Sequence, residues 1–257
     1  MKRIIVLFFV LITAVAAKAQ IVTENFTYND DGVLLLGYIA YDESIQDKKP
    51  AVIIVHDWMG IGPFAKEKAE AIAKLGYVGF AVDIYGIDSR PKDTQEAGKL
   101  AGTFKNDRNL MRKRINIAFD EIKKKNYVNP DRIAVMGYCF GGTVALELAR
   151  SGADVKGTVS FHGGLDTPYP QDAKNIKGKV LILHGGDDPF VPREQVSAFE
   201  KEMNDAGVDY QLFIYSGAVH SFTNPAAGSD NSKGAAYNER ADKRSWEAMK
   251  TFFKEIF

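Results

Sequence analysis

Cys139 is the one cysteine of a 257-residue chain, and it stands in Gly137-Tyr138-Cys139-Phe140-Gly141-Gly142. Gly-x-Cys-x-Gly is the nucleophile-elbow pattern Gly-x-Ser-x-Gly with sulfur in place of oxygen. The glycines have a physical reason. The turn is sharp, and side chains two residues before or after the nucleophile would collide with the adjoining strand and helix. Such a turn delivers the thiol to a helix N-terminus, where the helix dipole favours a thiolate. The next amide, Phe140 N–H, has no use inside the helix and is free to face an oxyanion. The chemistry implied is nucleophilic acyl transfer by sulfur. A buried cysteine acting as a small hydrophobe is the plainer alternative.

A sulfur nucleophile needs a base, and the base needs an orienting acid. After an elbow the chain order is nucleophile, acid, histidine. Downstream of Cys139 lie His162, His184 and His220. His220 falls past the last expected strand, in Ser216-Gly217-Ala218-Val219-His220-Ser221-Phe222, among the small residues that a close approach to a nucleophile requires. His184 ends a strand and precedes Gly185-Gly186, which reads as a residue bracing a loop. His162 ends the strand before it and reads as lining the pocket mouth. Asp187 and Asp188 both qualify as the acid, and Asp188, four residues before Pro192, is preferred.

These residues must be held by elements that the hydrophobic pattern marks out. Thr27–Asn29 and Val33–Tyr41 read as an opening hairpin with its turn at Asn29-Asp30-Asp31-Gly32. Ala51–Val55, Tyr77–Val82, Arg132–Met136, Thr158–Phe161, Val180–Leu183 and Tyr210–Tyr215 read as strands. Phe64–Leu75, Arg108–Lys125, Gly141–Arg150, Glu194–Ala206 and Tyr237–Ile256 carry apolar residues at helical spacing. Residues 83 to 105 are less regular, with room for a short helix. Strands alternating with helices imply an α/β architecture, a mostly parallel central sheet with helices on both faces. In such sheets reactive groups collect at the carboxyl ends of the strands, where Cys139, Asp188 and His220 all fall.

Three segments together resemble the dienelactone hydrolase family: the Cys139 elbow, Asp188-Pro189-Phe190-Val191-Pro192 and Ala218-Val219-His220-Ser221-Phe222. Ala51-Val52-Ile53-Ile54-Val55-His56-Asp57-Trp58-Met59-Gly60 is similar to that family too, and the resemblance runs from about residue 27 to the end. It implies the α/β-hydrolase fold and a Cys139–His220–Asp188 triad. It implies an oxyanion hole from the Phe140 and Trp58 amides, and hydrolysis of an ester or lactone with no metal and no organic cofactor. Asp57, Tyr85 and Phe190 are substrate-binding candidates. Two positions depart from the family pattern. Asp57 stands where well-known members have Glu, and Asn224 where they have an Arg for a substrate carboxylate; Arg90 and Arg108 are possible replacements.

Lys+Arg and Asp+Glu each number 33. A chain with no net charge has no electrostatic footprint for nucleic acid. The expected partner is a small ester or lactone. Met1-Lys2-Arg3, the apolar stretch Ile4 to Ala17 and Ala17-Lys18-Ala19 read as a secretory signal cleaved after Ala19. The apolar stretch falls short of the roughly 20 residues that span a bilayer. The expectation is an exported protein, periplasmic or secreted and not held in the membrane, with residues 20–257 as one domain. Rival readings are a non-catalytic binding module on the same fold, an exported carbohydrate esterase and a thiol redox protein. The last lacks a resolving cysteine. Residues 224–233, rich in Gly, Ala, Ser and Asn, read as a flap beside His220.

Overall fold

The computed structural model describes residues 20–257. Residues 1–19, read from the sequence as a secretory signal, lie outside the described residues. One eight-stranded sheet carries the strands: β1 (Ile21–Asp30), β2 (Val33–Asp42), β3 (Lys49–Val55), β4 (Val78–Val82), β5 (Val128–Tyr138), β6 (Gly157–Phe161), β7 (Lys179–Gly185) and β8 (Tyr210–Tyr215). Their order across the sheet is β1-β2-β4-β3-β5-β6-β7-β8. β1 and β2 run antiparallel to their neighbours, and every pairing from β4 through β8 is parallel.

The central strands are apolar on both faces because both faces are covered. Ile53 and Val55 of β3 point into one core layer, and Val52 and Ile54 into the other. The first layer is closed by α2 (Thr94–Asn106), α3 (Arg108–Lys123) and α4 (Phe140–Arg150), through Phe104, Met111, Ile115 and Val144. Beside α4, α5 (Arg193–Ala206) seals the β7 end with Val196, Phe199 and Met203. The opposite face is closed by α1 (Pro63–Ala73) and α6 (Glu239–Ile256), through Ala65, Ala69, Ile72, Met249 and Phe253.

Three elements differ from the sequence reading. β1 begins six residues earlier than expected, because Thr23-Glu24-Asn25 is polar yet pairs in continuous register with β2 at the sheet edge. An edge strand with one wet face has little apolar pattern to show. β5 extends to Val128 at its start and Tyr138 at its end. The irregular stretch after residue 83 contains a full 13-residue helix, α2. Its N-terminus is capped by Asp93, whose carboxylate accepts from the Glu96 N–H at 2.8 Å. Two glycines, Gly98 and Gly102, weaken its periodic signal.

Candidate active site

β5 ends at Tyr138 and α4 begins at Phe140, so Cys139 is the whole turn, at φ 55° and ψ −120°. A side chain at Gly137 would run into the Gly141 backbone, and one at Gly141 into the Val55 and His56 carbonyls. The elbow is therefore wedged between its own helix and β3. Cys139 is half-buried and lies on a cavity of about 450 Å³ at the carboxyl edge of the sheet.

His220 reaches the same cavity from the loop after β8. Its Nδ1–H donates to Asp188 Oδ2 at 2.8 Å, and its ring shares the cavity wall with Cys139. Asp188 follows β7; its second oxygen accepts from the Phe190 N–H at 2.9 Å, which fixes the carboxylate. Asp187, the other acid considered, is exposed. Burial disfavours charge on His220, but the bond to Asp188 and the nearby Cys139 outweigh it and push its pKa up to about 10.

Phe140 and Trp58 line the cavity together with Cys139. Phe140 is the first residue of α4, so its N–H has no intrahelical partner. Trp58 lies in the turn after β3, where the Met59 and Gly60 amides are both occupied by Asp57. The Trp58 N–H has no acceptor among the described residues. His56 braces this turn from below: its ring accepts from the Ile84 N–H at 3.2 Å and donates from Nδ1 to the Asp57 carbonyl at 2.5 Å. Burial lowers the His56 pKa, consistent with that neutral ring.

Phe190 and Trp58 are cavity walls, 59% and 37% exposed. Phe190 stands edge-on to the His220 ring with centroids 5.4 Å apart. Tyr85, expected in the pocket, is instead buried at 2% exposure, and its hydroxyl donates to the Trp58 carbonyl at 3.1 Å. Asp57 also does not line the Cys139 cavity. It faces a separate hollow of about 350 Å³ that it shares with Asn224. Loop residues alternate in direction here, so Asp57 and Trp58 open on opposite sides. Neither candidate arginine lines the Cys139 cavity: Arg90 reaches Asp83 and the Leu36 carbonyl, and Arg108 is buried against Asp166. The cavity's lysine is Lys105 of α2, which sequence reasoning missed because the helix itself was indistinct.

His162 is not at the pocket mouth. It is buried beneath the elbow, its Nδ1 3.2 Å from the Cys139 N–H and its Nε2 2.8 Å from Thr223 Oγ1. His184 is buried beside the Asp188–His220 pair and its ring makes no hydrogen bond to the described residues, so any bracing that ring gives is by packing. Residues 224–233 form two short 3-10 turns, Pro225–Ala227 and Asn231–Lys233, each capped by the side chain before it. The chain then returns along His220, exchanging hydrogen bonds of 3.1 and 3.0 Å through Gly234 and Ala236.

The model of the dienelactone hydrolase family matches residues 35–257. The chain belongs to the dienelactone hydrolase family. Among curated relatives, "Protein usf" of Aquifex pyrophilus is 30% identical, over 89% of this chain and 96% of its own length. Among solved structures, "m3DLH" is 37% identical with a TM-score of 0.88, covering 92% of this chain and 99% of its own. A dienelactone hydrolase-like promiscuous phosphotriesterase, P91, from metagenomic libraries is 35% identical with a TM-score of 0.88, covering 93% and 100%. The α/β-hydrolase fold and hydrolase character expected from the sequence are those of the dienelactone hydrolase family. Among its described residues the chain shows no cluster of His, Cys, Asp and Glu arranged to hold a metal.

Proposed function

We propose that the protein hydrolyses carboxylic esters or lactones by covalent catalysis, with Cys139 as nucleophile, His220 as acid and base, and Asp188 as the group that orients His220. The observation carrying this reading is the hydrogen bond that fixes His220 on Asp188 while both His220 and the half-buried Cys139 open on one cavity. The sulfur attacks the acyl carbon, and the Phe140 and Trp58 amides receive the charge that develops on the carbonyl oxygen. As the C–O bond breaks, its electron pair leaves with the alcohol oxygen, which takes the His220 proton. A water then attacks the thioester and gives its proton to His220. The acid departs, and the sulfur is restored as leaving group. Trp58 and Phe190 supply the walls against which the substrate packs.

A panel of p-nitrophenyl esters and lactones tests this, with a neutral phosphate triester added because P91 is described as a phosphotriesterase. The wild-type protein turns over at least one of them, and Cys139→Ala loses that turnover. Mass spectrometry of protein quenched during turnover of a slow ester finds the acyl group on the Cys139 peptide. Equal inertness of wild type and Cys139→Ala would return the chain to a binding module.

A further inference from the structure

We propose that His162 is a positioning residue: it ties the strained backbone of Cys139 and the loop carrying His220 into one frame through a hydrogen bond to each. The inference rests on the roles proposed for Cys139 and His220 and goes beyond them.

Four non-glycine residues among those described have positive φ. Asp31 is one, in the β1–β2 hairpin turn. The other three, Cys139 at 55°, His162 at 40° and Ser221 at 57°, meet at the site. A backbone held in such a region persists only where its surroundings over-determine it, and such outliers gather where geometry is used. His162 is the link among the three. The chain leaves β6 at Phe161 and must turn at once, because Gly163 packs against Gly142 at the start of α4 with no room for a side chain. That turn puts the imidazole between two partners. Nδ1 shares the N–H of Cys139, accepting at 3.2 Å while the Phe161 carbonyl accepts the same N–H at 3.0 Å, and Nε2–H donates to Thr223 Oγ1 at 2.8 Å, three residues past His220.

The two bonds require one tautomer, because a ring that accepts at Nδ1 carries its proton on Nε2. They also require a neutral ring. Its surroundings enforce this: His162 is fully enclosed, and the groups facing it from other elements are His220, His184 and Lys68 of α1, any of which can carry positive charge. Its ring lies 5.2 Å from that of His220 and 5.0 Å from that of Phe222. His162 does not border the cavity, so its effect passes through Cys139 and His220 rather than through substrate.

The test compares His162→Phe with His162→Asn. Phe keeps a ring and loses both bonds, leaving the Cys139 N–H to the Phe161 carbonyl alone. Asn tolerates the left-handed backbone and places an oxygen near the Nδ1 position, restoring the acceptor for Cys139 N–H. Three quantities are read: the rate of Cys139 alkylation by iodoacetamide, kcat and KM on the best ester of the panel, and Tm. His162→Phe lowers kcat and the alkylation rate together, by about 100-fold, the scale expected of a sub-ångström misplacement, while KM moves little. His162→Asn recovers most of that loss. Wild-type rates in His162→Phe would overturn the proposal. So would His162→Asn as slow as His162→Phe when both melt like wild type. If His162→Phe does not fold, Thr223→Val decides: slowed alkylation supports the frame, and an unchanged rate overturns it. Alkylation needs no substrate, so these outcomes stand even if no ester on the panel is cleaved.

Discussion

Two buried imidazoles lie side by side in this site in opposite states. His162 is bonded to an amide and a hydroxyl, and burial among cationic neighbours pushes its pKa well down. His220 is buried too, though it borders the cavity, and its bond to the Asp188 carboxylate beside Cys139 raises its pKa to about 10. The difference lies in the partners, and it makes a pH prediction. A raised histidine keeps its proton up to its folded pKa, so the stability drawn from the Asp188–His220 pair is fully present below the ordinary value near 6.5 and is lost as pH rises through about 10. On the proposed mechanism, kcat/KM holds across neutral pH and falls above about 10, as His220 loses the proton meant for the leaving group. Asp188→Asn moves that alkaline limb toward neutrality and lowers kcat by roughly 10²–10⁴, the upper figure being that of serine triads stripped of their carboxylate. Rate profiles and melting curves at pH 7 and above 10 check both; an unmoved limb would mean Asp188 does not set the His220 charge. Cys139, Asp188 and His220 were legible because each has a motif and a place in chain order. The directions of Tyr85 and Asp57 were not, because a loop residue's type says nothing about which side of the turn it faces. Nor was the positive φ of His162, which leaves no mark on composition.

The loops after β3, β5, β6, β7 and β8 carry Trp58, Cys139, His162, Asp188 and His220, so the parallel half of the sheet does the assembling. That half was legible in its short apolar runs. The edge strand β1 and helix α2 were not, the first because its exposed face is polar and the second because of its glycines. Gly98 and Gly102 both face the cavity from α2. A side chain at Gly102 would meet nothing within 4 Å, so the glycine is not needed by the fold. Glycine inside a helix costs about 0.5–1 kcal/mol relative to alanine. Gly102→Ala therefore raises Tm by about 1–4 °C while narrowing the cavity, and KM for the largest acyl groups rises relative to that for acetyl. Calorimetry and a chain-length series of esters measure the two effects. A lower Tm would show that the fold does need the glycine, and an unchanged order of KM values that the room beside Gly102 is not used by substrate.

Across the whole molecule, the first described residue is already part of the sheet edge. The Gln20 N–H donates to Asp42 Oδ1 at 3.0 Å, and the Gln20 carbonyl accepts from the Glu43 N–H at 2.9 Å. If the signal is cut after Ala19, as we propose for an exported protein, that same nitrogen becomes an ammonium facing the same carboxylate. The neutral contact of the uncut chain would turn into an ion pair that closes the open end of β1. The Ser44 hydroxyl and the Gln20 amide already hold the Asp42 pKa below the usual carboxylate range. A carboxylate so depressed contributes stability above its unfolded pKa and loses it as pH falls through the lower folded value. Residues 20–257 should therefore melt higher than the full chain at neutral pH. Asp42→Asn should shrink that gap, and acidification should erase it. Exported protein whose first residue is not Gln20, or equal melting of the two forms at pH 7, would defeat this account of how processing and fold meet at β1.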